Sequence, residues 1–168
     1  EGPVTFTGTP ANEDFELRGV DAGGGITFLQ LLSPIGGAVI DSRPYDSVTE
    51  FSLNAGDGND NVFINHGGTG GLINIPVTVN GQAGANDTLR VGGGASASVF
   101  HVFANNTDGL MNLNGTLHPY SGIEAATDNM VATNRTFRFN GAGETIVLDD
   151  HPTAGMSRID SSLGVVTS

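Results

Sequence analysis

Residues that favour turns make up an unusual share of this chain, because 26 of its 168 residues are glycine and 15 are asparagine. Both types are poor helix formers: glycine loses much backbone entropy, and the asparagine side chain competes for backbone hydrogen bonds. This composition excludes a helical bundle and disfavours an ordinary α/β domain. A hydrophobic fraction of 38% is too high for a disordered chain. The sequence therefore predicts a folded β protein with many turns.

Short segments of alternating apolar and polar residues occur in pairs along the chain. Four such segments each lead through a turn rich in Gly, Asn or Asp into a second alternating run; they are residues 4–6, 51–53, 77–79 and 137–139. A period of two residues is typical of a strand with one buried face. The intervening turns span about seven to nine residues, which is too long for two-residue hairpins. We therefore expect paired strands that are joined by wider corners.

Three short segments recur in the same order, with offsets of 73, 69 and 75 residues. Pro-Val-Thr-Phe at 3–6 returns as Pro-Val-Thr-Val at 76–79, Gly-Gly-Gly at 23–25 returns at 92–94, and Pro-Tyr-Asp-Ser-Val at 44–48 returns as Pro-Tyr-Ser-Gly-Ile at 119–123. Collinear matches of this kind indicate an internal repeat. We interpret the chain as a single domain, residues 1–168, made of two tandem units at about 3–75 and 76–168.

The predicted fold is all-β, a parallel β-helix or β-solenoid. In such a fold each strand pairs with its equivalent in the next coil, about 4.8 Å away. Asp60 and Asp87 are 27 residues apart, a spacing that suits one coil. A β-sandwich is the alternative. It explains the same alternation, but it explains the 73-residue repeat less well.

The charge balance restricts the partners of this protein. The chain has 18 acidic and 6 basic residues and a net charge of −12. Phosphate and anionic membrane surfaces attract basic proteins, so we predict no binding to nucleic acid. No apolar run approaches the roughly 18 residues that a membrane span needs, so we predict no membrane insertion. Cations are the natural partners of such an acidic surface.

Residues 45–60, Tyr-Asp-Ser-Val-Thr-Glu-Phe-Ser-Leu-Asn-Ala-Gly-Asp-Gly-Asn-Asp, resemble the tandem repeats of very large secreted bacterial surface proteins, especially those of planctomycetes. The segments at 80–89, 120–124, 143–150 and 157–162 are similar. The resemblance implies an extracellular or cell-surface β-solenoid stalk or adhesin module. We therefore expect a non-enzymatic structural or adhesive module that is part of a longer array or filament.

Residues 55–63, Ala-Gly-Asp-Gly-Asn-Asp-Asn-Val-Phe, also resemble the calcium-binding nonapeptide of RTX proteins, with Ala55 in place of the first glycine. The resemblance implies that carboxylates and turn carbonyls bind Ca²⁺. Asp57, Asn59 and Asp60 lie in one turn, and Asp87 would lie one coil along, so these four are the candidate metal ligands. The alternative is that they only form turns, through Asx hydrogen bonds.

The histidines and the remaining acidic residues give no recognisable catalytic pattern. His66, His101, His118 and His151 are scattered without zinc-site spacing, and we interpret them as surface or turn residues. Asp149 and Asp150 precede His151 and suit a polar loop better than an acid–base pair. The competing hypothesis is a carbohydrate-binding or carbohydrate-active β-helix, which a groove lined with several aromatic residues would favour.

The chain ends predict how the protein assembles. Neither residues 1–9 nor residues 161–168 contain a charged, helical or proline-dense cap. Open strand edges pair with other strands unless they are covered. We therefore expect end-to-end association with further copies or with neighbouring repeats.

Overall fold

The computed structural model describes residues 1–23, 26–139, 145–150, 157–161 and 164–167. Within these residues the chain forms strands, one 3-10 turn at Tyr45–Ser47 and no α-helix, which confirms the predicted all-β fold. The strands are β1 (Gly2–Thr7), β2 (Asp14–Asp21), β3 (Ile26–Ser33), β4 (Ala38–Pro44), β5 (Val48–Asn54), β6 (Asn61–Asn65), β7 (Val77–Asn80), β8 (Thr88–Phe103), β9 (Gly109–Leu113), β10 (Thr116–Ser121), β11 (Ala125–Phe139), β12 (Ile146–Asp150), β13 (Ser157–Ser161) and β14 (Gly164–Thr167).

Two ladders of parallel strands form the centre of the molecule. In the first ladder β1, β5, β7 and the end of β10 pair in that order, and in the second β2, β6, β8 and β11 do so. The chain crosses from the first ladder to the second four times, through the pairs β1–β2, β5–β6, β7–β8 and β10–β11. We call each such pair a coil.

The register relates the coils to the repeats seen in the sequence. Val4 pairs with Phe51, and Phe51 pairs with Val77. The two matching segments, 73 residues apart in sequence, therefore lie two strands apart in the first ladder. Tyr45 lies in the 3-10 turn, whereas Tyr120 lies within β10 beside Val79, so these two tyrosines occupy different positions. Part of the Gly23–25 match, at residues 24–25, lies outside the described residues.

Antiparallel segments interrupt the parallel pattern at both ends. The hairpin β3–β4 covers the outer edge of β2, and β9 joins the second half of β8 to β10. Strands β12, β13 and β14 form an antiparallel extension that reaches β11 through β14. These segments connect the two ladders into one continuous, curled sheet.

The hydrophobic core lies between the two ladders and includes the inward-facing members of most alternating runs. The largest of them, including Phe15, Phe51 and Leu89, are 1% exposed. Phe6 of the first ladder meets Phe15 of the second edge to face, at 5.7 Å between ring centroids. The alternation therefore predicted the correct buried face of β2, β5, β6, β7 and the start of β8, whereas the run at 146–148 is exposed at all three residues.

The described residues contain no helix that is long and apolar enough to cross a membrane.

Glycine allows successive coils to approach closely at the corners. Gly56 has a φ of 115°, and a Cβ added there would overlap the carbonyl oxygen of Thr9 in the preceding coil. A Cβ at Gly84 would likewise overlap the carbonyl oxygen of Gly58. Gly36, in contrast, has a φ of 71° but open space around it.

Comparison of Gly56→Ala with Gly36→Ala separates steric overlap from backbone strain. We expect Gly36→Ala to cost about 1 kcal/mol, the usual penalty for a positive φ. Gly56→Ala should cost several kcal/mol, because a coil must also move away from its neighbour. Denaturant unfolding of both variants measures the difference, and equal losses would show that close stacking at Thr9 does not constrain the fold.

Candidate functional site

Four acidic residues occupy the same position in successive coils. Each directly precedes a strand of the second ladder: Glu13 before β2, Asp60 before β6, Asp87 before β8 and Glu124 before β11. In-register parallel pairing stacks equivalent positions one strand spacing apart. The four side chains therefore form a line along the stacking direction, which we call the carboxylate column.

Three carboxylates of the column, those of Asp60, Asp87 and Glu124, each accept a hydrogen bond from the backbone N–H of the preceding acidic residue. The Glu13 N–H donates to Oδ1 of Asp60 at 2.7 Å, and the Asp60 N–H donates to Oδ1 of Asp87 at 2.7 Å. The Asp87 N–H donates to Oε2 of Glu124 at 2.6 Å. The column thus satisfies the corner amides that the strand ladders leave unpaired.

The two central carboxylates are buried, and one oxygen of each has no hydrogen-bond partner among the described residues. Asp60 and Asp87 are each 1% exposed, and in each of them that oxygen is Oδ2. Burial raises the pKa of both carboxyls, and the neighbouring acidic side chain of the column adds to the shift. A proton or a cation at these oxygens would relieve the cost of burying the charge.

Two glycines pack directly against one of these carboxylates. A Cβ at Gly81 would lie 2.7 Å from Oδ2 of Asp87, and a Cβ at Gly84 would lie 2.6 Å from it. A side chain at either position would overlap the Asp87 carboxylate. The corner therefore needs glycine for the carboxylate of Asp87 to fit beside the backbone.

The four candidate ligands are only partly brought together. Asp60 and Asp87 are adjacent, as their 27-residue spacing predicted. Asp57 and Asn59 are exposed, and Asn59 Oδ1 accepts the Ala85 N–H at 3.1 Å, as part of a separate outer line. No group of three or more His, Asp or Glu side chains among the described residues is placed to hold a metal ion.

Sequence reasoning missed two members of the column, and the structure does not test its interpretation of Asp149 and Asp150. Glu13 stands directly before an alternating run, as Asp60 and Asp87 do, and that position is the signal that could have identified it. Glu124 precedes Ala-Ala-Thr-Asp, which does not alternate and gives no such signal. Asp149 and Asp150 end β12, but their side chains and His151 lie outside the described residues.

Three histidines lie in the interior, so none of them is a surface residue; His66 occupies the turn after β6, whereas the prediction of a surface or turn position is wrong for His101 and His118. His66 is 1% exposed, and His101 and His118 are 0% exposed. The rings of His66 and His118 meet edge to face, with centroids 5.4 Å apart. Burial lowers the pKa of His66 to about 4 and, together with the nearby His66, lowers the pKa of His118 to about 3.

His101 belongs to a buried charged group. Its Nε2 lies 3.1 Å from Oδ2 of Asp128, which also accepts a hydrogen bond from Nε of Arg135 at 2.8 Å. The Met130 N–H donates to the other carboxylate oxygen at 2.8 Å. Burial alone would raise the pKa of Asp128, but the hydrogen bonds from His101, Arg135 and Met130 lower it overall.

A groove of about 400 Å³ runs along the outer face of the second ladder. One wall is a hydrogen-bonded line, in which Asn61 donates to Asp14 and Thr88 donates to Asn61, each at 2.6 Å. The other wall contains Phe63, whose ring lies 3.8 Å below the guanidinium carbon of Arg90. Phe63 is the one aromatic side chain among the described lining residues, and Arg90 covers its face.

The chain matches no protein-family model, and searches of curated proteins and of solved structures return no match. Functional inference for this protein therefore rests on its geometry.

The two shifted histidines predict a loss of stability in mild acid. Their pKa values in the folded state, about 4 and about 3, lie below the ordinary value of 6.5. As the pH falls below 6.5, these two histidines bind protons in the unfolded chain but not in the folded chain. The free energy of unfolding therefore declines by up to about 1.4 kcal/mol per pH unit for each histidine.

Denaturant unfolding at pH 7, 6 and 5 measures this slope, and His118→Leu should make it shallower. Asp60 and Asp87 act in the opposite direction, since their raised pKa values make the folded chain the better proton acceptor at low pH. A slope that His118→Leu leaves unchanged would contradict the assignment of a neutral, buried imidazole at His118.

Proposed function

We propose that this chain is a non-enzymatic structural module, built as a β-solenoid, of an extracellular or cell-surface protein. The observation that supports the proposal most directly is the repetition of one coil. Four strand pairs share two parallel ladders in register, and their corners share the carboxylate column. Such an arrangement transmits load along its axis through backbone hydrogen bonds and buries a continuous core.

The outer groove supports a structural role better than sugar binding. Aromatic faces are the main surfaces on which sugar rings stack, and Phe63 presents a face that Arg90 already covers. The polar wall formed by Asp14, Asn61 and Thr88 satisfies its own hydrogen bonds. These side chains stabilise the outside of the ladder, and they leave few free groups for a saccharide.

Open strand edges support end-to-end association. Within the described strands, β1 pairs only with β5, and β12 pairs only with β13. Three consecutive apolar residues on β12 are exposed: Ile146 by 49%, Val147 by 48% and Leu148 by 72%. An exposed apolar edge favours pairing with a strand of another copy or of a neighbouring repeat.

Calcium is the cation we assign to the carboxylate column. Ca²⁺ prefers oxygen ligands and accepts carboxylates together with backbone carbonyls. The unpartnered, buried Oδ2 atoms of Asp60 and Asp87 fit that preference. Bound Ca²⁺ would neutralise two buried like charges and hold adjacent coils together.

Melting with EGTA and with millimolar Ca²⁺, at equal ionic strength, tests the assignment. A ligand at about 100 times its dissociation constant adds about 2.7 kcal/mol to the stability of the folded state. For a domain of this size that corresponds to a rise of roughly 5–10 °C in melting temperature. Asp60→Asn should reduce the rise, because it keeps the side-chain shape and removes the charge.

Asp57→Asn is the matched control for this experiment. It changes an exposed aspartate three residues away in the same corner, so its calcium response should equal that of the wild type. An unchanged melting temperature for the wild type in the two buffers would contradict calcium binding. A rise that Asp60→Asn leaves intact would place the site away from the column.

Sedimentation velocity over a series of protein concentrations tests the association. We expect species larger than a monomer to increase with concentration, and we expect Leu148→Lys to reduce them by placing a charge on the edge strand. Leu117→Lys, on the paired strand β10, should leave association unchanged. A monomer at every concentration would contradict the proposed end-to-end contact.

A further inference from the structure

Three side chains with metal-binding chemistry form a buried row that the proposed function does not use. His118 of β10 lies beside Met111 of β9, which lies beside His101 of β8. All three are 0% exposed. Residues directly opposite one another in antiparallel strands present their side chains on the same face, with Cβ atoms about 5 Å apart. The Met111 thioether therefore lies between two imidazoles.

The hydrogen bonds of His101 determine which of its nitrogens is available. Its Nε2 faces the carboxylate of Asp128, which the Arg135 guanidinium keeps ionised, so Nε2 carries the proton. Nδ1 is then a free lone pair, and it is buried without a partner among the described residues. A carboxylate behind an imidazole is the arrangement that orients histidine ligands in metal sites.

The imidazole of His118 is the second candidate ligand of this row. Neither Nδ1 nor Nε2 has a hydrogen-bond partner among the described residues, although the ring is fully buried. Unsatisfied buried polar atoms are rare, and each needs an explanation such as an ion or a water molecule. The neutral ring has one nitrogen with a lone pair, and no hydrogen bond among the described residues occupies it.

The nearby His66 is excluded from this set by its own hydrogen bond. The Ile73 N–H donates to Nδ1 of His66 at 3.1 Å, so Nδ1 holds the lone pair and Nε2 holds the proton. That proton blocks metal binding at Nε2. His66 therefore flanks His118 as a possible hydrogen-bond donor and is not itself a ligand.

The charge of the row selects the kind of metal. Two imidazoles and a thioether supply no negative charge, and Asp128 is already balanced by Arg135. The cost of burying an ion rises with the square of its charge, so a monovalent ion is strongly preferred over a divalent one. Thioether ligands favour Cu(I), and imidazoles also bind copper well.

We propose that His118, Met111 and His101 form a buried binding site for one Cu(I) ion. The site is separate from the carboxylate column, whose oxygen atoms suit a hard cation and not a soft one.

Anaerobic titration of the full chain with Cu(I), in competition with bicinchoninate, tests the proposal. We expect one equivalent of Cu(I) to move to the wild-type protein, and we expect X-ray absorption to detect nitrogen neighbours and one sulfur neighbour. Met111→Leu, a nearly isosteric change, should abolish the sulfur signal and weaken binding about tenfold or more. His118→Leu should weaken it further.

Met130→Leu is the matched control, because Met130 is also a buried methionine, at 3% exposure, and lies outside the row. Its copper binding should equal that of the wild type, and circular dichroism should report the same β fold for all variants. A wild type that leaves Cu(I) with bicinchoninate would overturn the proposal. So would unchanged affinity and an unchanged sulfur signal in Met111→Leu, whatever the behaviour of His118→Leu.

Discussion

Parallel hydrogen bonding between successive coils is the constraint on which the rest of this structure depends. It stacks equivalent positions one strand spacing apart, so any residue type that recurs at a corner forms a line. The carboxylate column and the outer line of Asn12 and Asn59 both arise in this way. Glycines such as Gly56 and Gly84 follow from the same constraint, because a side chain at these corners would push the coils apart.

Burial of titratable side chains has an electrostatic cost, and the structure contains two different kinds of buried group. At the corner, Asp60 and Asp87 are buried with raised pKa values, and each uses one oxygen to bind a backbone amide. In the core, His66 and His118 are held neutral by burial. The first group resists ionisation and the second resists protonation, so the pH response of the protein is the balance of opposite contributions.

The two metal proposals differ in the chemistry that the surroundings offer. The corner provides carboxylate oxygens and glycine backbone near solvent-facing loops, which suits a hard divalent ion. The row across β8, β9 and β10 provides nitrogen and sulfur in an uncharged interior, which suits a soft monovalent ion. Copper or calcium binding at one site would leave the other unaffected, since the two sites share no ligand.

By itself the sequence determined the all-β class, the inward faces of the alternating runs and the contact between Asp60 and Asp87, because each depends on local period or on the length of one coil. It did not reveal the hairpin β3–β4, the antiparallel strand β9 or the burial of His101 and His118. Those features depend on which distant strands pair, and pairing is decided by the packing of the whole chain. The local sequence pattern around a strand histidine is the same whether its side chain faces solvent or packs against a neighbouring ladder. Only the tertiary structure therefore decided that these rings lie in the core.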